Sequence, residues 1–443
     1  MKNIECKSYT RPTADYKNLS QCFRLASKDY SKQFAHIYAV RLNKMRECLL
    51  ARVSQKWGKS VSVLKLSDLN ETDTEECVII GTLFKHQQLK PNILKEISEE
   101  LKLVPQPQHT HFVSDSDELI LEDELQRIPL HGNIDIHNQV TGVVVAIKGT
   151  PVGNGKFKVS DVCYATPVFN PRTTLSNNEN KQVVFLSGIN TAMFQKPILP
   201  QLYSLIQLLT GWLGESEDLE EGSHIVRIVI VGNTIRNVPK EKITILSNKD
   251  NATQADLEAM DLADRILTDF VSSIEVDLMP GEFDPANTTL PQQPLHPCLF
   301  PEASKYSTFH PVTNPYIFEM EGKLLMGTSG QPVSDIAKFS NLSNPLDILE
   351  YTLRCGHVAP TAPDTLACYP FYDNDPMIIE SCPDVYFTGN QSKFETKTIE
   401  IEKDKNVRLI SVPDFFSSRT VAILNLSTLE CHSLVVEDLT EER

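Results

Sequence analysis

Val276 to Pro301 reads V-D-L-M-P-G-E-F-D-P-A-N-T-T-L-P-Q-Q-P-L-H-P-C-L-F-P. Val276 to Met279 is an apolar run that breaks at Pro280-Gly281, the pattern of a short buried strand ending in a tight turn. In a parallel α/β sheet such a turn lies at the carboxyl edge, where ligand sites collect. Gly281, Glu282, Phe283 and Asp284 sit in it. On either side, strands and helices alternate. Gln182–Ser187 reads as a strand, and Ile225–Val231 as a β-branched strand covered on both faces. Ile198–Leu213 carries a helical stripe of Leu199, Leu202, Leu205, Ile206 and Leu209, and Thr253–Ser272 is helical too. A helix near Pro345–Cys355 and strands at Val385–Thr388, Val407–Val412, Val421–Leu426 and His432–Val436 follow. Residues 182–443 are therefore expected to form one two-layered sheet domain with flanking helices.

Upstream the pattern differs. Residues 1–30 are polar and aperiodic, and are expected to be an extended arm. From Ser31, a plausible N-cap, Phe34, Ile37, Tyr38, Leu42, Met45 and Leu49 recur at helical spacing. Cys77–Phe84 is a strand, and a helical insert follows Pro91 with Ile93, Leu94, Ile97 and Leu101 on one face. Glu118–Asp123 with Arg127–Ile134 makes a hairpin. Val140–Thr150 with Lys156–Ala165 makes another around Gly153–Gly155. A helix and five strands over 31–169 suggest an OB-like barrel. Asn170–Lys181, opening on Pro171, is the expected linker.

The 443 residues carry 42 basic and 58 acidic side chains, a formal net charge of -16. Autonomous nucleic-acid binding relies on Lys and Arg displacing counterions from phosphate, so this charge opposes it. OB barrels grip single strands with exposed aromatics in a basic groove. Here Phe84, Phe112, Phe157 and Tyr164 stand among Asp115, Asp117, Glu118, Glu122, Asp123 and Glu124. Those aromatics are read as core and the barrel as a protein-docking module, with autonomous single-stranded DNA binding as the alternative. The ten cysteines form no C-x-x-C, and no apolar run reaches membrane-spanning length. A reducing compartment, no cofactor and no membrane partner are expected. The N-x-S/T triplets at Asn70 and Asn287 are read as chance.

P-G-E-F-D-P resembles the P-G-N-H-D turn of calcineurin-like metallophosphoesterases, with Glu282 and Phe283 replacing Asn and His. The chain as a whole resembles the small (B) subunit family of eukaryotic DNA polymerase delta. The matching runs include S-Q-C-F-R-L (Ser20–Leu25), F-A-H-I-Y-A (Phe34–Ala39) and L-E-D-E-L-Q-R-I (Leu121–Ile128). V-T-N-P-Y (Val312–Tyr316), G-T-S-G-Q (Gly327–Gln331) and A-P-T-A-P-D-T-L (Ala359–Leu366) continue them. The resemblance implies an α/β and β protein, an OB-like barrel followed by an inactivated two-layered calcineurin-like phosphoesterase domain. It implies a nuclear, non-catalytic subunit serving replication and repair. The implied partners are the C-terminal cysteine-rich domain of the catalytic subunit and a third, elongated subunit. The sliding clamp is reached through the holoenzyme, and DNA only indirectly.

Dinuclear phosphoesterases take carboxylate, Asn and His ligands from several strand ends. Where that superfamily has S-D-x-H, this chain has Ser187-Gly188-Ile189-Asn190; for G-D-x-x-D it has Gly232-Asn233-Thr234-Ile235-Arg236. At G-N-H-D only Gly281 and Asp284 remain. Ser329-Gly330 stands for a His-Gly pair, and Gly389-Asn390-Gln391-Ser392 for a final G-H-x-H. Neutral Gly, Ser, Asn and Phe cannot balance two divalent charges. No catalytic or metal residue is therefore assigned, and Phe283 is expected to fill the vacated space as a core aromatic. A residual metal-dependent phosphoesterase or nuclease would have to use Asp284, His296, His310, Asp335, His357 or Asp364. His357, after a helix end, is expected to face the terminal carbonyls.

Overall fold

The computed structural model describes residues 9–26, 28–69, 75–91, 110–153, 155–169, 180–193, 199–236, 249–402 and 405–436. The helical insert after Pro91 and most of the 170–181 linker lie outside the described residues, as does Asn154 of the G-N-G turn. The elements begin with β1 (Tyr16–Asn18), α1 (Ala35–Trp57), β2 (Val63–Leu64), β3 (Cys77–His86) and β4 (Glu118–Glu122). Next come β5 (Arg127–Gly132), β6 (Val144–Val152), β7 (Lys156–Tyr164) and β8 (Gln182–Leu186). Then follow α2 (Leu199–Thr210), α3 (Ser216–Ser223), β9 (Ile225–Val231), α4 (Lys249–Val271) and β10 (Glu275–Met279). Beyond them lie β11 (Phe309–Pro311), β12 (Tyr316–Met320), β13 (Lys323–Thr328), α5 (Gln331–Phe339) and α6 (Pro345–Cys355). The set closes with β14 (Val385–Gln391), β15 (Glu395–Glu402), β16 (Lys405–Pro413), α7 (Phe415–Ser418), β17 (Thr420–Asn425) and β18 (Cys431–Val435).

The chain divides into two compact units. One comprises Met1–Ala26, Pro171–Gly330 and Pro383–Arg443; the other comprises Ser27–Asn170 and Gln331–Cys382. In the first, two six-stranded sheets stack, ordered β11-β10-β9-β8-β17-β18 and β1-β12-β13-β14-β16-β15. Strands β8 to β11 run parallel. Phe185, Val229, Val231 and Met279 from one sheet meet Phe318, Leu325, Phe387 and Ile410 from the other. Ile228 and Ile230 of β9 face the opposite way, packing with Leu202 and Leu205 of α2 and Ile266 and Phe270 of α4. Every residue of β9 is buried, which is why its sequence is almost wholly apolar.

The exception, Arg227, ties down the N-terminal segment. Its Nη1 stands 2.6 Å from Asp277 Oδ1, and its guanidinium lies 3.7 Å from the centre of the Tyr16 ring. Tyr316 donates its hydroxyl to Asp277 (2.8 Å), and the Tyr16 and Tyr316 hydroxyls bond at 2.7 Å. β1 pairs antiparallel with β12, and Arg11 donates to the carbonyls of Leu209 (3.0 Å) and Gly222 (2.9 Å). Residues 1–30 are thus not an extended arm throughout. A three-residue strand carries too little periodicity to show itself in sequence.

In the second unit, β2-β3-β4-β5-β7-β6 closes through a β3–β6 pairing into a barrel. Leu42, Met45, Leu49 and Val53 of α1 pack on Val78, Ile80, Val144 and Ala146. The helix starts at Ala35 rather than at Ser31, because the Ser31 hydroxyl donates to Asp29 (2.6 Å) instead of capping. Phe157 is fully buried in the barrel, whereas Phe84, Phe112 and Tyr164 are half-buried.

The expected 182–443 domain is interrupted, since Gln331–Cys382 belongs with the barrel. The reason is polar. Arg41, fully buried, donates from Nε to Asp375 (2.7 Å), from Nη1 to the Pro360 carbonyl (3.0 Å), and from Nη2 to the Ala362 carbonyl (2.7 Å). Lys85, also buried, donates to the His137 and Phe339 carbonyls, each at 3.1 Å. A buried cation needs such partners, and hydrophobic patterning does not reveal them.

His357 completes this network by bonding Asp375 at 3.0 Å, so it does not serve a helix terminus. Burial first, and the Arg41 cation second, lower its pKa to about 4 against the pull of Asp375. Unfolded, it titrates near pH ~6.5. The unfolded chain therefore takes up this proton first on acidification. The stability involved is fully present above about pH 6.5 and is lost as pH falls toward 4. Urea unfolding is expected to show a loss of about 2 kcal/mol from this group between about pH 7.5 and 5, with His357→Asn reducing it. Equal acid sensitivity in that variant would mean the imidazole is not the titrating group.

Candidate functional site

The loops leaving β8, β9, β10, β13 and β14 meet at one end of the stacked sheets. The first two run side by side as a backbone ladder. Gly188 N donates to Gly232 O (3.0 Å), Asn190 N to Asn233 O (3.1 Å) and Thr191 N to Thr234 O (3.0 Å). Asn190, Asn233 and Asn390, at three of the strand ends, hold φ of 58°, 53° and 56°. Asn is the non-glycine residue that best tolerates this left-handed region. These asparagines thus have a conformational reason for their positions, independent of any ligand.

Glycines make the close approach. A Cβ on Gly281 would fall 2.1 Å from Asn233 Oδ1 and 2.2 Å from Asn233 N. Gly232, at φ +80°, would place one 2.6 Å from Ser329 Cβ and 2.8 Å from Gly281 Cα. Backbone and side chain from three loops fill the space between these strand ends.

Asp284, 5 % exposed, is the single acid of the turn that points inward. Its carboxylate accepts from the backbone N–H groups of Ile235 (2.8 Å), Gly281 (2.9 Å) and Thr234 (3.2 Å). Burial pushes this carboxyl up, while those donors and the Arg236 N–H pull it down. It closes the turn of β10 onto the loop of β9. A neutral network backs it. Asn314 Nδ2 donates to Gln292 Oε1 and to Ser329 Oγ, each at 2.8 Å, and Gln292 Nε2 donates to the Gly281 carbonyl (2.9 Å). Asn390 Nδ2 donates to the carbonyls of Ser329 (2.7 Å) and Val231 (3.1 Å). Both amide atoms of Asn190 and the Oδ1 of Asn390 make no hydrogen bond.

The structure therefore brings Gly188, Asn190, Asn233, Asp284, Ser329 and Asn390 together. Arg236 sits at the border and pairs with Asp256 of α4. Glu282 and Ser392 face solvent. Phe283 is only half-buried and joins no core cluster, so the expected plug role is corrected. Backbone approach at Gly281 and Gly232, not a ring, fills the space. Gln292 and Asn314 also belong to the site, and nothing in the sequence marks them, because a buried amide leaves no mark in hydropathy.

The other acids and histidines lie apart. His296 caps Cys298 N (3.2 Å), His310 bonds Glu275 (2.6 Å), and Asp335 accepts from Thr361 (2.5 Å) and Thr365 (2.6 Å). Asp364 pairs with Lys90 at 2.6 Å. Among the described residues, no group of three or more His, Cys, Asp or Glu could hold a metal ion. The donor set at the strand ends does not fit a pair of divalent cations. The buried carboxylate, Asp284, is already engaged by backbone N–H groups, the half-buried Asp414 beside Gly188 accepts from the N–H and hydroxyl of Ser417, and around them stand neutral amides and a hydroxyl.

Comparison with known proteins places the chain. The DNA polymerase delta subunit 2 of Drosophila melanogaster is 40% identical over 94% of this chain and 96% of its own length. The DNA polymerase delta small subunit of Oryza sativa subsp. japonica is 42% identical over 96% of this chain and 98% of its own. The chain belongs to the DNA polymerase delta small-subunit family. The Saccharomyces cerevisiae small subunit is 31% identical over 95% of this chain and 93% of its own length. The DNA polymerase delta subunit OB-fold domain matches residues 33–162, the span of α1 and the barrel. The family of DNA polymerase alpha/epsilon B subunits matches residues 183–396, beginning in β8. The expected OB barrel and a two-layered α/β domain are both present.

Proposed function

We propose that the chain is a non-catalytic accessory subunit of the DNA polymerase delta complex, bridging the catalytic subunit and a third subunit in nuclear replication and repair synthesis. Its strand-end cluster is then the remnant of a phosphoesterase site whose turns persist while its ligands are gone. One observation carries this reading: the carboxylate of Asp284, the buried acid at the cluster, is taken up by backbone N–H groups of its own and the neighbouring loop, and the half-buried Asp414 beside Gly188 is engaged by Ser417. The net charge of -16 supports contact with DNA through partners rather than directly. No helix among the described residues is long and apolar enough to cross a membrane.

The purified chain, incubated with manganese or zinc and then desalted, is expected to retain no stoichiometric metal. It is expected to hydrolyse neither a nitrophenyl phosphodiester nor DNA ends. Two ions per chain, with hydrolysis lost in Asp284→Ala, would establish the residual-enzyme alternative instead.

A further inference from the structure

We propose, building on the accessory-subunit function above, that the groove between α1 and the β4–β5 turn docks a segment of another polymerase subunit, an apolar side chain flanked by lysine or arginine. The groove encloses about 490 Å³. Ala35, Tyr38 and Ala39 wall it on one side, and Leu83 and Phe84 lie beneath. It exists because α1 commits only one stripe to the barrel. Ile37, Arg41, Leu42 and Met45 are buried, while Ala35 and Ala39 remain exposed. Two alanines one turn apart leave room for an incoming side chain. Next in the chain to lining residues come Phe34, 44 % exposed, before Ala35, and Leu125, 77 % exposed, after Glu124. Single exposed apolar residues are ordinary. Two beside a concave apolar floor, within a polar border, have the anatomy of an interface core and rim.

Charge selects the occupant. Among the described residues, Glu122, Asp123, Glu124 and Asp364 line the groove against one cation, Arg127, with Lys90 paired to Asp364 outside it. Asp123 is engaged by the turn itself, accepting from Leu125 N and Gln126 N, each at 2.8 Å. Glu122 is less well served. Arg127 Nε lies 2.9 Å from its Oε1 but out of line, and that buried oxygen accepts no hydrogen bond. Burial pushes the Glu122 carboxyl up despite Arg127, so its charged form lacks compensation there. The Arg127 guanidinium leans instead over Phe84, 5.7 Å from the ring centre. A partner cation reaching Glu122 and Glu124 would supply what is missing, whereas an acidic segment would be repelled. The walls are a helix face and a turn, which suit a peptide segment laid along them.

The full chain, co-expressed with the other subunits of the polymerase, provides the test. Ala39→Trp fills the groove from its exposed wall, and Glu124→Lys reverses an exposed charge without touching the core. Ala39→Trp is expected to unfold at the wild-type temperature and to lose one subunit by about tenfold or more in affinity while keeping the others. Glu124→Lys is expected to weaken the same subunit and to flatten the salt dependence of its binding. If Ala39→Trp misfolds, Glu124→Lys decides alone. Wild-type affinity for every subunit in Glu124→Lys, or in a folded Ala39→Trp, overturns the groove. A wild-type chain that holds no other subunit overturns the accessory function and the groove with it.

Discussion

Arg41→Met is expected to destabilise the barrel unit by about 3–5 kcal/mol, the cost of removing one partner of a buried ion pair. Methionine keeps most of the volume, so the loss is polar rather than a cavity. The Asp375 carboxylate would lose its 2.7 Å charge partner, and the carbonyls of Pro360 and Ala362 would lose their donors. The pH dependence provides a signature. Arg41 is one of the causes that hold His357 at about 4. Without it the imidazole titrates higher and, once protonated, pairs with Asp375. The deficit of the variant relative to wild type should therefore shrink as pH falls from about 8 to 6. Urea midpoints at several pH values measure this. A deficit below about 1 kcal/mol would mean that the pair behaves like an exposed salt bridge.

Asp284→Ala is expected to be almost as costly, about 3–4 kcal/mol, while its neighbour Phe283→Ala costs about 1. In the first variant, three buried N–H groups, those of Thr234, Ile235 and Gly281, lose their acceptor. Each orphaned donor costs ~1–3 kcal/mol before relaxation, and the losses overlap. In the second, a half-buried ring outside the core clusters forfeits only part of the ~3–5 kcal/mol typical of a buried aromatic. Thermal unfolding of both variants ranks them. The reverse order would restore Phe283 as the plug and leave Asp284 a peripheral acid.

Hydrophobic patterning made the frame legible. The all-apolar run of β9 announced a strand covered on both faces, and the stripe from Ile37 to Leu49 announced the helix that seals the barrel. The Pro280-Gly281 break placed the turn where the strand-end loops meet. Polar burial was not legible. Nothing in the spacing of Arg41, His357 and Asp375 shows that they converge, so the pattern does not reveal that Gln331–Cys382 belongs with the barrel. Tyr16 and Arg227 likewise fix a short strand that pattern alone left as an arm. At the strand ends, Gly188, Asn190 and Asn233 were found through motif resemblance. Their left-handed backbone, which explains why Gly and Asn suit them, became visible only in three dimensions. Asp284 stands out in sequence as a surviving acid, and its bonds to backbone N–H groups give it a structural role.

On the proposed function, this chain acts by binding other polymerase subunits rather than by chemistry of its own. Co-expression with the catalytic subunit of DNA polymerase delta, followed by light scattering on the purified material, tests it most directly. A stable one-to-one complex is expected, forming equally well without added divalent metal. Separate elution of the two chains under conditions where each is folded would contradict it.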